Sequence, residues 1–110
     1  MKRLTSEQVL SIIDNFIFDK KLSFVGFIDF EPDCKVYILQ DDNSNKYALI
    51  LRDFPFDELE AEKRILSNEL GIVIIERFVT KDEKDYWYID RTFDTFQYVF
   101  SLSRIKMTTK

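Results

Sequence analysis

The sequence predicts an α+β domain: a mainly antiparallel sheet of five to six strands with two helices packed on one side of it. The order is α-β-β-β-α-β-β, then a last segment compatible with β or α. Three observations predict it. Two segments open with capping boxes and continue with apolar residues at helical spacing. Five segments are runs of β-branched and aromatic residues. The connections between the first three strands are short and polar, which implies an antiparallel meander.

Residues 5–20 read as the first helix. Thr5 is a good N-cap, Gln8 completes a capping box, and Leu4 and Val9 are placed for a hydrophobic staple. Val9, Ile13, Phe16 and Ile17 recur on one face, which should be buried. The first strand is 23-SFVGFIDFE-31, in which Phe24, Gly26, Ile28 and Phe30 alternate with Val25, Phe27 and Asp29. Pro32 and Asp33 make a turn. The strand 35-KVYILQ-40 is apolar on both sides and so belongs in the interior of the sheet. Asp41-Asp42-Asn43-Ser44-Asn45 is turn chemistry, and 46-KYALILR-52 is again apolar on both faces.

The second helix is expected over 54-FPFDELEAEKRILSNELG-71. Asp57 and Glu60 form its capping box, Leu59, Leu66 and Leu70 line one face flanked by Ile65, and Gly71 stands where a left-handed C-terminal cap belongs. Strands follow at 72-IVIIERFV-79 and, after a turn at 80-TKDEKD-85, at 86-YWYID-90. In the segment 93-FDTFQYVFSLSRI-105, Phe96, Tyr98, Phe100 and Leu102 alternate as in a strand, while Phe93, Phe96 and Phe100 fit a helical stripe. Its Tyr, Val, Phe and Thr content favours a strand. Residues 107–110 read as a frayed end.

At 110 residues the chain is expected to form one domain, 1–110, since a single core usually spans that length. An apolar fraction of 45% with eleven Phe supplies that core, and two Gly with two Pro argue against disorder. No apolar run is long enough to span a bilayer, and MKRLTSEQVL turns polar too early for a signal peptide. The single cysteine, Cys34, rules out an internal disulfide and fits a reducing cytoplasm. Sixteen basic residues stand against twenty acidic, a net charge of −4, which argues against direct nucleic-acid binding. No histidine is present, so Ser-His-Asp and Cys-His nucleophiles are excluded, and one Cys cannot hold zinc. No cofactor or metal is expected. The loop from Asp41 to Asn45 opens like a calcium loop, but its sixth position is Lys46, not Gly, and its twelfth is Arg52, not Glu.

The residue types that remain are those of a contact surface. Tyr86, Trp87 and Tyr88 cannot all face one core from a strand, and Phe93 and Phe96 follow closely. Aromatic side chains ringed by charge are what binding hot spots are made of. Asp41, Asp42, Asp82, Glu83 and Asp85 supply the acidic half of such a face. Arg52 and Glu62 point from sheet and helix toward each other and are expected to pair.

Residues 23–90 also resemble the small lobe of protein kinases in element order and in wording. VYILQDDNSNKYALIL is similar to the second and third lobe strands, EKRIL to the regulatory helix, and IVIIERFVTKDEKDYWYID to the fourth and fifth strands. The resemblance places Glu62 at the position of the glutamate that pairs with the catalytic lysine. It also marks the departures. Ile50 stands where that lysine belongs, and 27-FIDFEPDCKVY-37 has no glycine where a loop must cover phosphates. The resemblance implies a nucleotide-binding or regulatory domain, or a lobe-shaped scaffold without catalysis.

The expected function is a small non-enzymatic protein-binding module, an inhibitor or immunity-type factor that occludes a larger enzyme, for instance a nucleic-acid-processing one. Charge would set the encounter rate and aromatics would hold the complex. A partial DNA mimic is the variant in which carboxylates stand in for phosphates. The Lys/Ile/Asp/Phe-rich composition is consistent with a phage or other mobile-element origin, as in anti-defence or anti-CRISPR proteins. Pairing of strand edges leaves a homodimer open.

Overall fold

The computed structural model describes residues 3–31, 34–52, 63–90 and 97–108. The fold is α+β, with helix α1 (Ser6–Ile13) and strands β1 (Ser23–Glu31), β2 (Cys34–Gln40), β3 (Lys46–Arg52), β4 (Ile72–Phe78), β5 (Trp87–Asp90) and β6 (Gln97–Met107). A second helical segment, residues 63–70, ends in a π-helical turn at Leu66–Leu70. All strand pairings are antiparallel, in the order β1-β2-β3-β6-β4, with β5 also on β6. The last segment is therefore a strand, and it is the hub of the sheet. No helix among the described residues is long and apolar enough to cross a membrane.

Both faces of the sheet are apolar because a helix packs on each. On one face Tyr37, Leu39, Tyr47, Leu49, Leu51, Phe100 and Leu102 meet Val9, Ile12, Ile13 and Phe16 from α1 and its exit. On the other, Val36, Ile38, Ala48, Ile50 and Ile105 meet Leu66 of the second helix. The expectation of helices on one side is thus corrected. The burial of every residue of β2 from Cys34 to Leu39 and of β3 from Tyr47 to Arg52 is the physical counterpart. A strand apolar at odd and even positions alike needs cover on two sides.

The first helix is shorter than its apolar spacing suggests. The expected capping box is present: Thr5 accepts from the Gln8 N–H, and the Gln8 side chain accepts from the Thr5 N–H. The helix stops because Asn15 turns its side-chain amide back to the carbonyls of Ile12 (3.1 Å) and Ser11 (3.4 Å). The chain then runs beside the end of β4, where the Ile17 N–H donates to the Val79 carbonyl over 2.8 Å. Phe16 is fully buried there, but Ile17 is 54% exposed, against its expected place in the core.

Gly71 closes the second helix with φ of 66°, as its position predicted. The expected capping box of Asp57 and Glu60, and Leu59, lie outside the described residues, as does the turn at Pro32 and Asp33.

Three register shifts interrupt the strand pairing, two in β1, at Phe24/Gly26 and Asp29/Glu31, and one in β4, at Ile74/Glu76. In β1 the register passes from Phe24↔Leu39 to Gly26↔Ile38, leaving Val25 as an extra residue. Phe24 and Phe27 therefore pack on the α1 face, while Ile28 and Phe30 pack on the other, which strict alternation does not allow. In β4 the step from Ile74↔Ile105 to Glu76↔Arg104 leaves Ile75 extra.

β4 and β5 do not pair with each other across the turn at 80–85. Both lie against the same edge of β6, β4 on Leu102–Met107 and β5 on Gln97–Phe100. Residues 79–86 are an excursion between two collinear pieces of one edge.

Candidate partner-binding surfaces

The excursion between β4 and β5 carries Asp82, Glu83 and Asp85, all exposed. It is built around Thr80, which is fully buried. The Thr80 hydroxyl donates to the Asp82 carboxylate and accepts from the Lys84 N–H over 2.9 Å. The Thr80 N–H donates to the Lys84 carbonyl and the Glu83 N–H to the Thr80 carbonyl, each over 2.8 Å. Glu83 takes a left-handed φ of 63° to close the turn. The Lys81 N–H donates to the Asn15 carbonyl over 2.9 Å, which docks the loop on the exit of α1. The hydrogen bond from Thr80, helped by nearby Lys84, holds the Asp82 carboxyl below its ordinary range. The three carboxylates thus stand on a braced turn.

The aromatic run is divided by the strand geometry. Trp87 sits opposite Phe100 and packs, half-buried, against the α1-side core. Tyr86 is half-buried and lies under the Arg77 guanidinium, 5.4 Å from its ring centre. Tyr88 falls in β5, but its side chain, like Phe93 and Phe96, lies outside the described residues. Of the expected aromatic patch, Tyr86 and Trp87 are brought beside the acidic loop.

Asp41 is not part of that surface. It is only 7% exposed. One carboxylate oxygen accepts from the N–H groups of Asn43 and Asn45, both at 2.9 Å. The other accepts from the Asn45 amide (3.1 Å) and the Tyr47 hydroxyl (2.8 Å). Burial pushes its pKa up, but the donors from Tyr47, Asn45 and Asn43 outweigh it and hold the carboxyl at about 2. The correction has a simple cause: an Asp opening a turn turns inward to satisfy backbone N–H groups that have no strand partner. Asp42 remains exposed at the tip. Among the described residues no group of three or more Cys, Asp or Glu is arranged to hold a metal ion.

Arg52 is buried at the end of β3, on the face that the second helix covers. Its expected partner Glu62 lies outside the described residues. Ile50, at the position where the kinase resemblance calls for lysine, is core on that same face.

Sequence reasoning missed a polar row on this face. Ser101 and Ser103 are buried in the middle of β6, with Ser101 opposite Ile50 and Ser103 between Ala48 and Arg77. The alternation of Ser101 and Ser103 with apolar residues was a signal for it, read only as strand periodicity. A second missed feature is a depression of about 330 Å³ bordered by Ser44, Lys46, Ile75, Arg104, Lys106 and Met107. Lys46 of β3 lies far in sequence from Arg104 and Lys106 of β6 and is brought near them by the β3–β6 pairing.

Comparison of the chain with protein-family models, with curated protein sequences and with solved structures found no match.

Proposed function

We propose that this chain is a non-enzymatic protein-binding module, an inhibitor or immunity-type factor that docks an acidic and aromatic face onto a basic functional surface of a larger enzyme. The observation that carries this reading is the braced turn. Asp82, Glu83 and Asp85 are exposed on a loop held by Thr80 and Asn15, with Tyr86 and Trp87 beside it. A loop ordered before binding gives up less conformational freedom when it binds. Exposed carboxylates raise the encounter rate with a basic surface, and neighbouring aromatic rings supply the contact that slows dissociation.

The test is affinity capture from the native host with the wild-type chain and with Glu83→Lys/Asp85→Lys, followed by mass spectrometry and assay of the captured enzyme. Wild type is expected to recover a partner and lower its activity, and the charge-reversed chain to lose it. Equal recovery by both chains would sink the reading.

The runner-up is a nucleotide-handling or regulatory domain. Its support is the element order β-β-β-helix-β-β over residues 23–90 and a buried Arg52 beneath the helix-covered face. Millimolar ATP should then raise the melting temperature; an unchanged melting curve removes it.

A further inference from the structure

The exit of α1 and the chain just beyond β4 make a short antiparallel ladder outside the named strands. Phe16 pairs with Thr80, the Ile17 N–H donates to the Val79 carbonyl over 2.8 Å, and the Lys81 N–H donates to the Asn15 carbonyl over 2.9 Å. In such a pairing opposite residues share a side, and successive residues alternate between sides. Phe16 and Thr80, both fully buried, take the inner side. Ile17 opposite Val79, and Asn15 opposite Lys81, are therefore turned outward. Exposure agrees. Ile17 is 54% exposed, the highest value of any large hydrophobic among the described residues, and Val79 is half-buried. A branched apolar side chain is thus held in water by a hydrogen-bonded backbone.

The charges around this apolar pair select its occupant. Asp14 and Asp19 flank Ile17 in the chain, and the loop that begins at Lys81 carries Asp82, Glu83 and Asp85, all exposed. Asp82 has the Thr80 hydroxyl and, at 3.6 Å, the Lys84 ammonium beside it. Asp14, Asp19, Glu83 and Asp85 make no ion pair among the described residues, and of the cations in 14–19 and 81–85 Lys81 alone makes none. An apolar group that approaches Ile17 with Lys or Arg around it gains from both the apolar contact and the charges, whereas one ringed by carboxylates is repelled. Tyr86 and Trp87 are half-buried and leave less area to cover. A single exposed Ile is ordinary on a protein surface. This one differs in having Val79 at its side and a fixed backbone, which gives up little freedom on contact.

We propose that Ile17, seated beside Val79, is the apolar anchor of the acidic face, and that the partner surface this face fits presents an apolar group ringed by Lys and Arg. This anchor rests on the docking role proposed for the acidic loop and gives that face its partner chemistry.

The experiment titrates the full, isotope-labelled chain with three short peptides and follows its amide spectrum. One is rich in Lys and Arg with a central Leu, one has Ser for that Leu, and one is rich in Asp and Glu with the Leu kept. Saturable shifts at Ile17, Asp19, Val79 and Glu83 are expected with the first peptide. Binding should be about tenfold weaker for the Ser form and absent for the acidic form. Ile17→Ser, in a chain whose spectrum stays dispersed, should bind the Leu and Ser forms alike at the weaker level, and Ile17→Leu should keep the difference. Glu83→Lys/Asp85→Lys should abolish binding of both basic forms. A Leu-over-Ser preference that survives Ile17→Ser, or shifts confined to other residues, overturns the anchor and leaves the acidic face standing. Binding undiminished by Glu83→Lys/Asp85→Lys overturns the acidic face itself, which separates the two failures. Equal binding of the Leu and Ser forms by the wild-type chain, or silence at millimolar peptide, overturns the anchor. Shifts at the same residues on concentrating the chain without peptide would mark a second copy as the occupant and overturn it too.

Discussion

Tyr47 donates its phenolic hydrogen to the Asp41 carboxylate over 2.8 Å, and this one bond ties the tip of the β2–β3 turn to the core. The tyrosine is almost fully buried and packs near Phe18 and Phe78, so the turn is anchored from below.

The bond makes stability depend on pH at both ends. Asp41 titrates at about 2, below its ordinary 3.8, so its contribution is complete above that ordinary value and is lost as pH falls toward 2. Burial first, then the bond to Asp41, pushes Tyr47 from 10.0 up to about 12, so its contribution is complete below pH 10 and is lost as pH rises toward 12. Tyr47→Phe should lower stability by about 1–2 kcal/mol near neutrality and flatten the alkaline limb. Asp41→Asn should flatten the acid limb. Urea unfolding across the pH range checks both; limbs identical to wild type would show that the bond does not matter in solution.

How far the sequence could be read follows from where the information lies. β3 was readable to the residue, because its limits are set by a polar turn on one side and a charge on the other. Gly71 was readable for the same local reason. The arrangement of β4 and β5 was not, because each chooses β6 over the other, and β6 comes later in the chain. The bulges at Val25 and Ile75 were equally hidden, since an extra residue exists only relative to a partner strand. Asp41 and Asp82 read alike as acidic turn residues. One is drawn in by Tyr47 and the other held outside by Thr80, and those partners belong to tertiary structure.

Trp87 and Tyr86 should separate stability from contact. Trp87 packs on the α1-side core opposite Phe100, whereas Tyr86 is half-buried under the Arg77 guanidinium and is not part of that core. Trp87→Ala should cost about 2–4 kcal/mol, somewhat less than full burial of a Trp would imply. Tyr86→Ala should cost about 1 kcal/mol or less. Comparison of urea midpoints decides; equal losses would place Tyr86 in the core as well.

The acidic turn should loosen when its brace is removed. Thr80→Val keeps the buried volume but deletes the hydroxyl that donates to Asp82 and accepts from the Lys84 N–H. A loss of about 1–3 kcal/mol is expected from the unpaired groups. The Lys84 amide should exchange with solvent faster while amides of β2 and β3 keep their protection. Uniform acceleration would mean that the loop opens only with the whole domain.

Gly71 joins the second helix to β4 with φ of 66° and accepts from the Thr108 N–H over 2.8 Å. A Cβ there would stand 2.9 Å from the Thr108 hydroxyl oxygen and 3.3 Å from its carbonyl. Gly71→Ala should therefore cost more than the roughly 1 kcal/mol of a left-handed alanine. Adding Thr108→Ala should recover the hydroxyl clash but not the backbone strain. A double-mutant cycle without coupling would show that the chain end moves aside at no cost.

Both edges of the sheet carry their defence in the same form. Among the described residues Val25 on β1 and Ile75 on β4 are the two most exposed strand hydrophobics, at 49% and 48%, and each is the extra residue of a bulge. A bulge twists an edge and breaks the regular row of N–H and C=O groups that an approaching strand needs. Deleting Ile75 leaves Ile72, Ile74 and Arg77 on one face and Val73, Glu76 and Phe78 on the other, in unbroken alternation with β6. The chain should still fold, because no core residue changes sides. Its β4 edge would then be straight, unguarded and apolar, so the deletion variant should self-associate as concentration rises, which light scattering coupled to size exclusion would register. A variant that elutes as wild type at every concentration would show that the edge is guarded by something other than the bulge.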